Sequence, residues 1–173
     1  MVAAKWIIFS SMALLSILSS LMMVTRRNAI HSALWLIVTF FCLAVIYLTL
    51  GAQFIAVAQI IVYAGAIVML IVFVVMLIHL EKEAQEIRKV TAGKIVATFV
   101  AIIFLLQIAA ASVSFRASGI KGMFTPEFLA ERGNVESVGR VLYGQYLFPF
   151  EVASILLLVG IVGAVLLAKR RKD

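Results

Sequence analysis

Apolar residues run unbroken along most of this chain, and charged residues gather where the runs stop. Five stretches stand out, residues 6–24, 30–50, 54–80, 95–115 and 149–168. The first four hold no formal charge, and the last holds only Glu151. A helix crosses the hydrocarbon core of a bilayer with about 20 apolar residues. Strands of a membrane barrel would show about ten residues of alternating polarity. None of the five stretches alternates, so the pattern predicts helices. The boundaries are sharp: Arg26-Arg27, Gly51, Glu81, Lys94, Arg116 and Lys169-Arg170-Arg171-Lys172. The expected fold is an all-α integral membrane protein of five transmembrane helices, one membrane domain over residues 1–173. The first run exceeds the ~7–15 apolar residues of a signal-peptide core and no small-residue cleavage site follows it, so it reads as a retained helix.

Composition narrows the class. Of 173 residues, 65% are hydrophobic and 13% are charged, against about 25% charged in soluble domains. So few charges cannot cover a soluble core of this size. A single cysteine, Cys42, excludes an internal disulfide, a zinc site and an iron–sulfur cluster. It reads as a small buried hydrophobe. A net charge of +7 raises the question of nucleic acid. The basic residues lie at span ends, which is the membrane pattern, and no nucleic-acid partner is expected. Ten of them fall on one side: Arg26, Arg27, Lys82, Arg88, Lys89, Lys94 and the four of the tail. Five fall on the other: Lys5, Arg116, Lys121, Arg132 and Arg140. The positive-inside bias then predicts the N-terminus outside and the C-terminus in the cytoplasm.

Two connections are more than turns. Residues 81–89 contain no helix breaker and pair Lys82 with Glu86, so they extend the third helix into the cytoplasm. In the outer loop, 116–148, Thr125-Pro126-Glu127 opens a short helix that stops near Gly133. A second short helix spans 136–142.

Chemistry is sparse. His31 and His79 sit at opposite ends of a stretch without charge, too far apart to share a metal, and read as interfacial residues. Glu151 has two readings. It is a proton-relay site, as acids at membrane depth usually are. Alternatively it is an interfacial acid near the positive end of the last helix, behind Pro149. Small residues mark several faces: Ser16, Ser19 and Ser20 in the first span, Gly160, Gly163 and Ala164 in the fifth. Such faces admit neighbouring helices.

The third stretch carries the most information. Its 27 residues, 54–80, make a helix of about 40 Å, about 10 Å more than the bilayer core needs. It must tilt, project or bend. Ala52, Ala56, Gln59, Tyr63 and Ala66 follow steps of four and three and share one small, polar face. Gly65, beside Tyr63, gives room for a π-bulge or a change of winding. It also serves the simpler purpose of admitting a neighbouring helix.

Two segments carry a family resemblance. They are Gln59-Ile60-Ile61-Val62-Tyr63-Ala64-Gly65-Ala66-Ile67 and Leu142-Tyr143-Gly144-Gln145-Tyr146-Leu147-Phe148-Pro149-Phe150-Glu151-Val152-Ala153-Ser154. With Asn28-Ala29-Ile30-His31-Ser32-Ala33, they resemble chain J of bacterial NADH-quinone oxidoreductase, whose mitochondrial counterpart is subunit 6 of respiratory complex I. The resemblance covers most of the chain in order, leaving out 116–139. It implies a non-catalytic membrane-arm subunit of a proton-pumping enzyme in the bacterial inner membrane. FMN, the iron–sulfur clusters and the quinone are then carried by other subunits and none by this chain. The implied neighbours are the quinone-proximal and antiporter-like subunits and the lipid bilayer. The implied coupling positions are Tyr63, Gly65, Ala66 and Met69, in a helix that switches between α and π winding. Where some family members carry glutamate, this chain has Gln59, which exchanges no proton at neutral pH.

Two other functions fit less of the sequence. A self-contained transporter needs a polar path, and the spans offer Gln59, Tyr63 and Gln107 but no buried acid–base chain. It also calls for broken helices in matching halves. A structural subunit of a related antiporter- or hydrogenase-type complex differs only in its neighbours.

Overall fold

The computed structural model describes residues 2–78, 92–114 and 126–169. Among these residues every regular element is helical. Five helices are long and apolar enough to cross a membrane: Ala3–Thr25, Ala29–Thr49, Gln53–Leu77, Val96–Ser114 and Leu147–Ala168. The chain divides into two compact units. One holds Met1–Leu77 with Phe124–Asp173, the other Ile78–Met123.

The first unit is built around a helical hairpin, α1 (Val2–Thr25) and α2 (Ala29–Thr49). The turn between them is fixed by the side chains of the Asn28–Ser32 segment. Asn28 Oδ1 accepts the amides of Ile30 at 2.9 Å and His31 at 3.3 Å, capping α2. Ser32 Oγ donates to the carbonyl of Met23 at 2.7 Å, one of the open acceptors at the end of α1. The serines inside α1 donate to their own helix, Ser20 to Ser16 O at 2.7 Å and Ser19 to Ser16 O at 3.0 Å. That is how hydroxyls become tolerable in hydrocarbon. Midway along the hairpin, Ser19 Oγ and Thr39 Oγ1 lie 2.8 Å apart, both buried, and one donates to the other. The small residues Ala33, Cys42 and Ala44 of α2 are buried as well.

The chain reverses again at Gly51, whose φ of 79° is left-handed backbone that glycine adopts without strain. Ala52 N–H donates to Tyr47 O at 2.9 Å and Gly51 N–H to Leu48 O at 3.1 Å, closing α2. The third span follows in three parts: α3 (Gln53–Ala58), a π-helical segment (Gln59–Ile67) and α4 (Val68–Leu77). All three pack on α2. The helix ends at Leu77 where the sequence reading carried it to residue 80. The expected extension over 81–89, like His79, lies outside the described residues.

Two short helices precede the last span. The first, α6 (Pro126–Arg132), begins at the expected proline; Thr125 lies outside the described residues. The second, α7 (Asn134–Gly144), is longer than the expected 136–142. It packs against α3, α6 and the last span, and its exposed side carries the Glu136–Arg140 ion pair at 2.9 Å. The last span, α8 (Leu147–Ala168), starts two residues before the expected position, so that Pro149 is its third residue. Tyr143 and Phe150 meet edge to face at 5.3 Å across the α7–α8 corner.

The second unit contains α5 (Ala92–Ser114). Its described side chains, 96–114, are all exposed. Ser112 Oγ donates to Ile108 O at 2.8 Å, again keeping a hydroxyl satisfied within its own helix. In each unit the spans leave large apolar side chains exposed, Leu14 and Leu157 in the first and Phe104 in the second. That is the expected distribution for surfaces that meet lipid or other membrane helices rather than water.

Candidate functional site

The third span changes winding in its middle. At its start, the amide of Gln59 still reaches Ile55 O, four residues back. At the far end, the amide of Val68 donates to Tyr63 O, five residues back. The wider turn inserts one extra residue into the helix.

The consequence appears in which residues are buried. Up to Gln59 the inward face follows the expected steps, with Ala52 half-buried, Ala56 at 1% and Gln59 at 8% exposure. Beyond Gln59 an α-helix would continue through Tyr63 and Ala66. Instead the face continues through Ala64, half-buried, and Val68, at 0% exposure, then Val72 and Val75, both half-buried. The step from Gln59 to Ala64 is five, the period of a π turn. Tyr63 is pushed to the rim, 48% exposed, where its ring meets Phe40 of α2 edge to face at 5.5 Å. Ala66, Met69 and Phe73 point away from α2 and are exposed.

Gly65 sits inside the wide turn. A Cβ at this position would lie 3.3 Å from Ile60 O, the carbonyl five residues back. That approach is tighter than ordinary van der Waals contact, so a methyl group at residue 65 presses on the carbonyl that the π turn brings close. Among the described residues no atom of another helix lies within 4 Å of that Cβ. Gly65 therefore answers to the backbone of its own helix.

The other sequence-marked positions lie elsewhere. Glu151 is the fifth residue of α8, one full turn inside it, and its carboxyl is exposed. The start of α8 at Leu147 separates it from the open amides of the first turn, since Phe150 N–H already pairs with Tyr146 O at 3.0 Å. Gly160 and Gly163 have open space where a Cβ would stand. His31 is exposed at the α1–α2 turn. Among the described residues no three His, Cys, Asp or Glu side chains converge on a common point. A cleft of about 300 Å³ lies along α7, lined by Leu129, Asn134, Val138, Val141 and Tyr146.

Sequence reading passed over Asn134. Its Oδ1 accepts the amide of Phe54 at 2.9 Å, joining α7 to the beginning of the third span. The available signal was a capping residue that directly follows a glycine and so stands one place too late to cap its own helix.

Comparison with known proteins places this geometry in a family. A family described as NADH-ubiquinone/plastoquinone oxidoreductase chain 6 matches residues 19–167. The NADH-quinone oxidoreductase subunit J of Rhodobacter capsulatus is 33% identical over 171 residues, covering 95% of this chain and 81% of the relative. The chloroplastic NAD(P)H-quinone oxidoreductase subunit 6 of Marchantia polymorpha is 38% identical over 162 residues, covering 90% and 84%. The subunit J of Rickettsia bellii is 29% identical over 174 residues, covering 96% and 82%.

Proposed function

The chain belongs to the NADH-ubiquinone/plastoquinone oxidoreductase chain 6 family, and from that premise we propose that its third helix couples quinone reduction to proton movement by changing its winding. The chain is a multi-pass membrane subunit of a NADH-quinone oxidoreductase. Similarity along nearly the whole chain to such subunits leaves a self-contained transporter without support. One cysteine and scattered acids do not fit an iron–sulfur ligand set. FMN, the clusters and the quinone are accordingly assigned to other subunits, and no redox step runs through this chain. Its neighbours are the quinone-proximal and the antiporter-like subunits, in the inner membrane of a bacterium. The N-terminus lies outside and the C-terminus in the cytoplasm, as the ten-to-five division of basic residues requires. The bond between Asn134 and Phe54 agrees with that topology, since it holds the α2–α3 turn and α7 on one side.

The observation that carries the coupling reading is the five-residue step between Gln59 and Ala64. Converting the π turn to α winding removes one residue from the register. It rotates one half of the span against the other by roughly 100°, at about 3.6 residues per turn. Tyr63 and Ala66 then replace Ala64 and Val68 against α2. Met69 and Phe73 turn toward different neighbours, so that a bulky apolar barrier gives way to a water path between the quinone end and the pumping subunits. Gly65 is the position that lets both windings exist.

The test is an assembled complex carrying Gly65→Val. A β-branched side chain is stiff in a helix and meets the Ile60 carbonyl in the π winding. Quinone-reductase turnover and proton pumping are expected to fall well below those of an Ile71→Val control. Wild-type rates of both in the assembled variant would leave Gly65 with no part in coupling.

A further inference from the structure

If one half of the third span turns against the other, something must hold the half that stays. We infer that Asn134 is that anchor: it fixes the outer end of the helix, so that a change of winding moves only the inner half, α4. The inference rests on the winding reading above and goes beyond it by assigning the fixed and the moving parts.

The outer end begins with an unusual cap. The residue in the capping position is Ala52, whose side chain has no oxygen to offer the open amides of the first turn. Asn134 supplies the missing acceptor from a distant part of the chain, taking the amide of Phe54 at 2.9 Å. It is free to do so because it is the first residue of α7 rather than its cap, and α7 has no side-chain cap. Gly133 holds the capping position, and its carbonyl receives both the amide of Ser137 at 3.3 Å and the hydroxyl of Ser137 at 2.8 Å.

Further contacts hold the outer half. The turn at Gly51 ties residue 53 to the end of α2 within three residues, and Ala56 is fully enclosed. On its other side α7 is locked to α8 through Tyr143 and Phe150. The inner half also has one enclosed residue, Val68 at its very start, with Val72 and Val75 half-buried beyond it, but among the described residues no hydrogen bond reaches it from another element. Past Val68, Met69, Leu70, Phe73, Met76 and Leu77 are exposed on this chain. A torque generated in the π segment therefore meets a fixed outer end and a lightly held inner end.

Asn134 is in these terms a positioning residue. Its role can be read by placing paired spin labels in the assembled complex, in a Cys42→Ala background. One label at Leu14→Cys on α1 serves as the reference. The second is placed either at Val57→Cys, in the outer half, or at Phe73→Cys, in the inner half; both side chains are 54% exposed. Distances are compared at rest and during turnover with NADH and quinone. The expected result is a second distance for the Leu14–Phe73 pair and none for Leu14–Val57. Asn134→Leu should make the Leu14–Val57 pair respond as well, and Asn134→Asp, which keeps the acceptor oxygen, should silence it again. A response at Val57 with Asn134 intact would overturn the anchor while keeping the winding change. So would an outer half that stays still in Asn134→Leu. No response at either position would overturn the winding reading itself.

Discussion

At residue 65, glycine matters because of a carbonyl in its own helix. The sequence marks Gly65 as a weak point in an overlong span, with two readings: a site of altered winding or a notch for a neighbouring helix. Among the described residues the one atom that crowds a Cβ here, at 3.3 Å, is Ile60 O of the π turn, which supports the first reading without testing what a neighbouring subunit brings. It follows that side-chain size should grade the effect. Gly65→Ala adds one methyl group against that carbonyl and is expected to slow turnover less than Gly65→Val, which adds stiffness as well. Equal effects of the two, measured as quinone reduction by assembled complexes, would point to a neighbouring subunit as the source of crowding. Asn28 and Ser32 were legible only as part of a family segment. Their work in closing the α1–α2 hairpin depends on Met23 O, nine residues from Ser32, which spacing along the chain does not reveal.

Among the elements, the apolar runs predicted the spans to within a few residues, because desolvating a backbone leaves helices as the only solution for such runs. The face of the third span was legible only as far as Gln59. Reading onward in steps of three and four presumes constant winding, and one added residue moves every later position. The two registers make opposite statements about a pair of neighbours. From Gln59, α winding places Leu70 on the inward face and Val68 opposite it; the π turn encloses Val68 and leaves Leu70 62% exposed. In a Cys42→Ala background, Val68→Cys should resist a thiol reagent that modifies Leu70→Cys readily, with the chain in detergent. Faster modification at 68 than at 70 would show that the span is wound as a plain α-helix. The short helix α7 runs two residues beyond the expected 136–142 at each end, although Gly139 at its centre weakens a helix in isolation. Packing on α3, α6 and α8 overrides that propensity.

For the whole molecule, the scarcity of charge along the spans leaves little surface that water could cover. Among the described residues α8 has no buried residue at all, so packing within its own unit does not say what it touches. That is why partners and orientation have to be reasoned from charge and family rather than from packing. Orientation has a direct check: a reporter fused after Asp173 should be active only in the cytoplasm, and one inserted near Gly122 only outside. The reverse pattern would contradict this orientation, and activity of both on the same side would contradict a single span between them. The central claim is that the third span uses both windings while the complex works. It is tested most directly by resolving the partner of the Val68 amide in the complete complex, at rest and during turnover. The account predicts two populations, one bonded to Tyr63 O, five residues back as in this structure, and one to Ala64 O, four residues back. A single register in both conditions would contradict it.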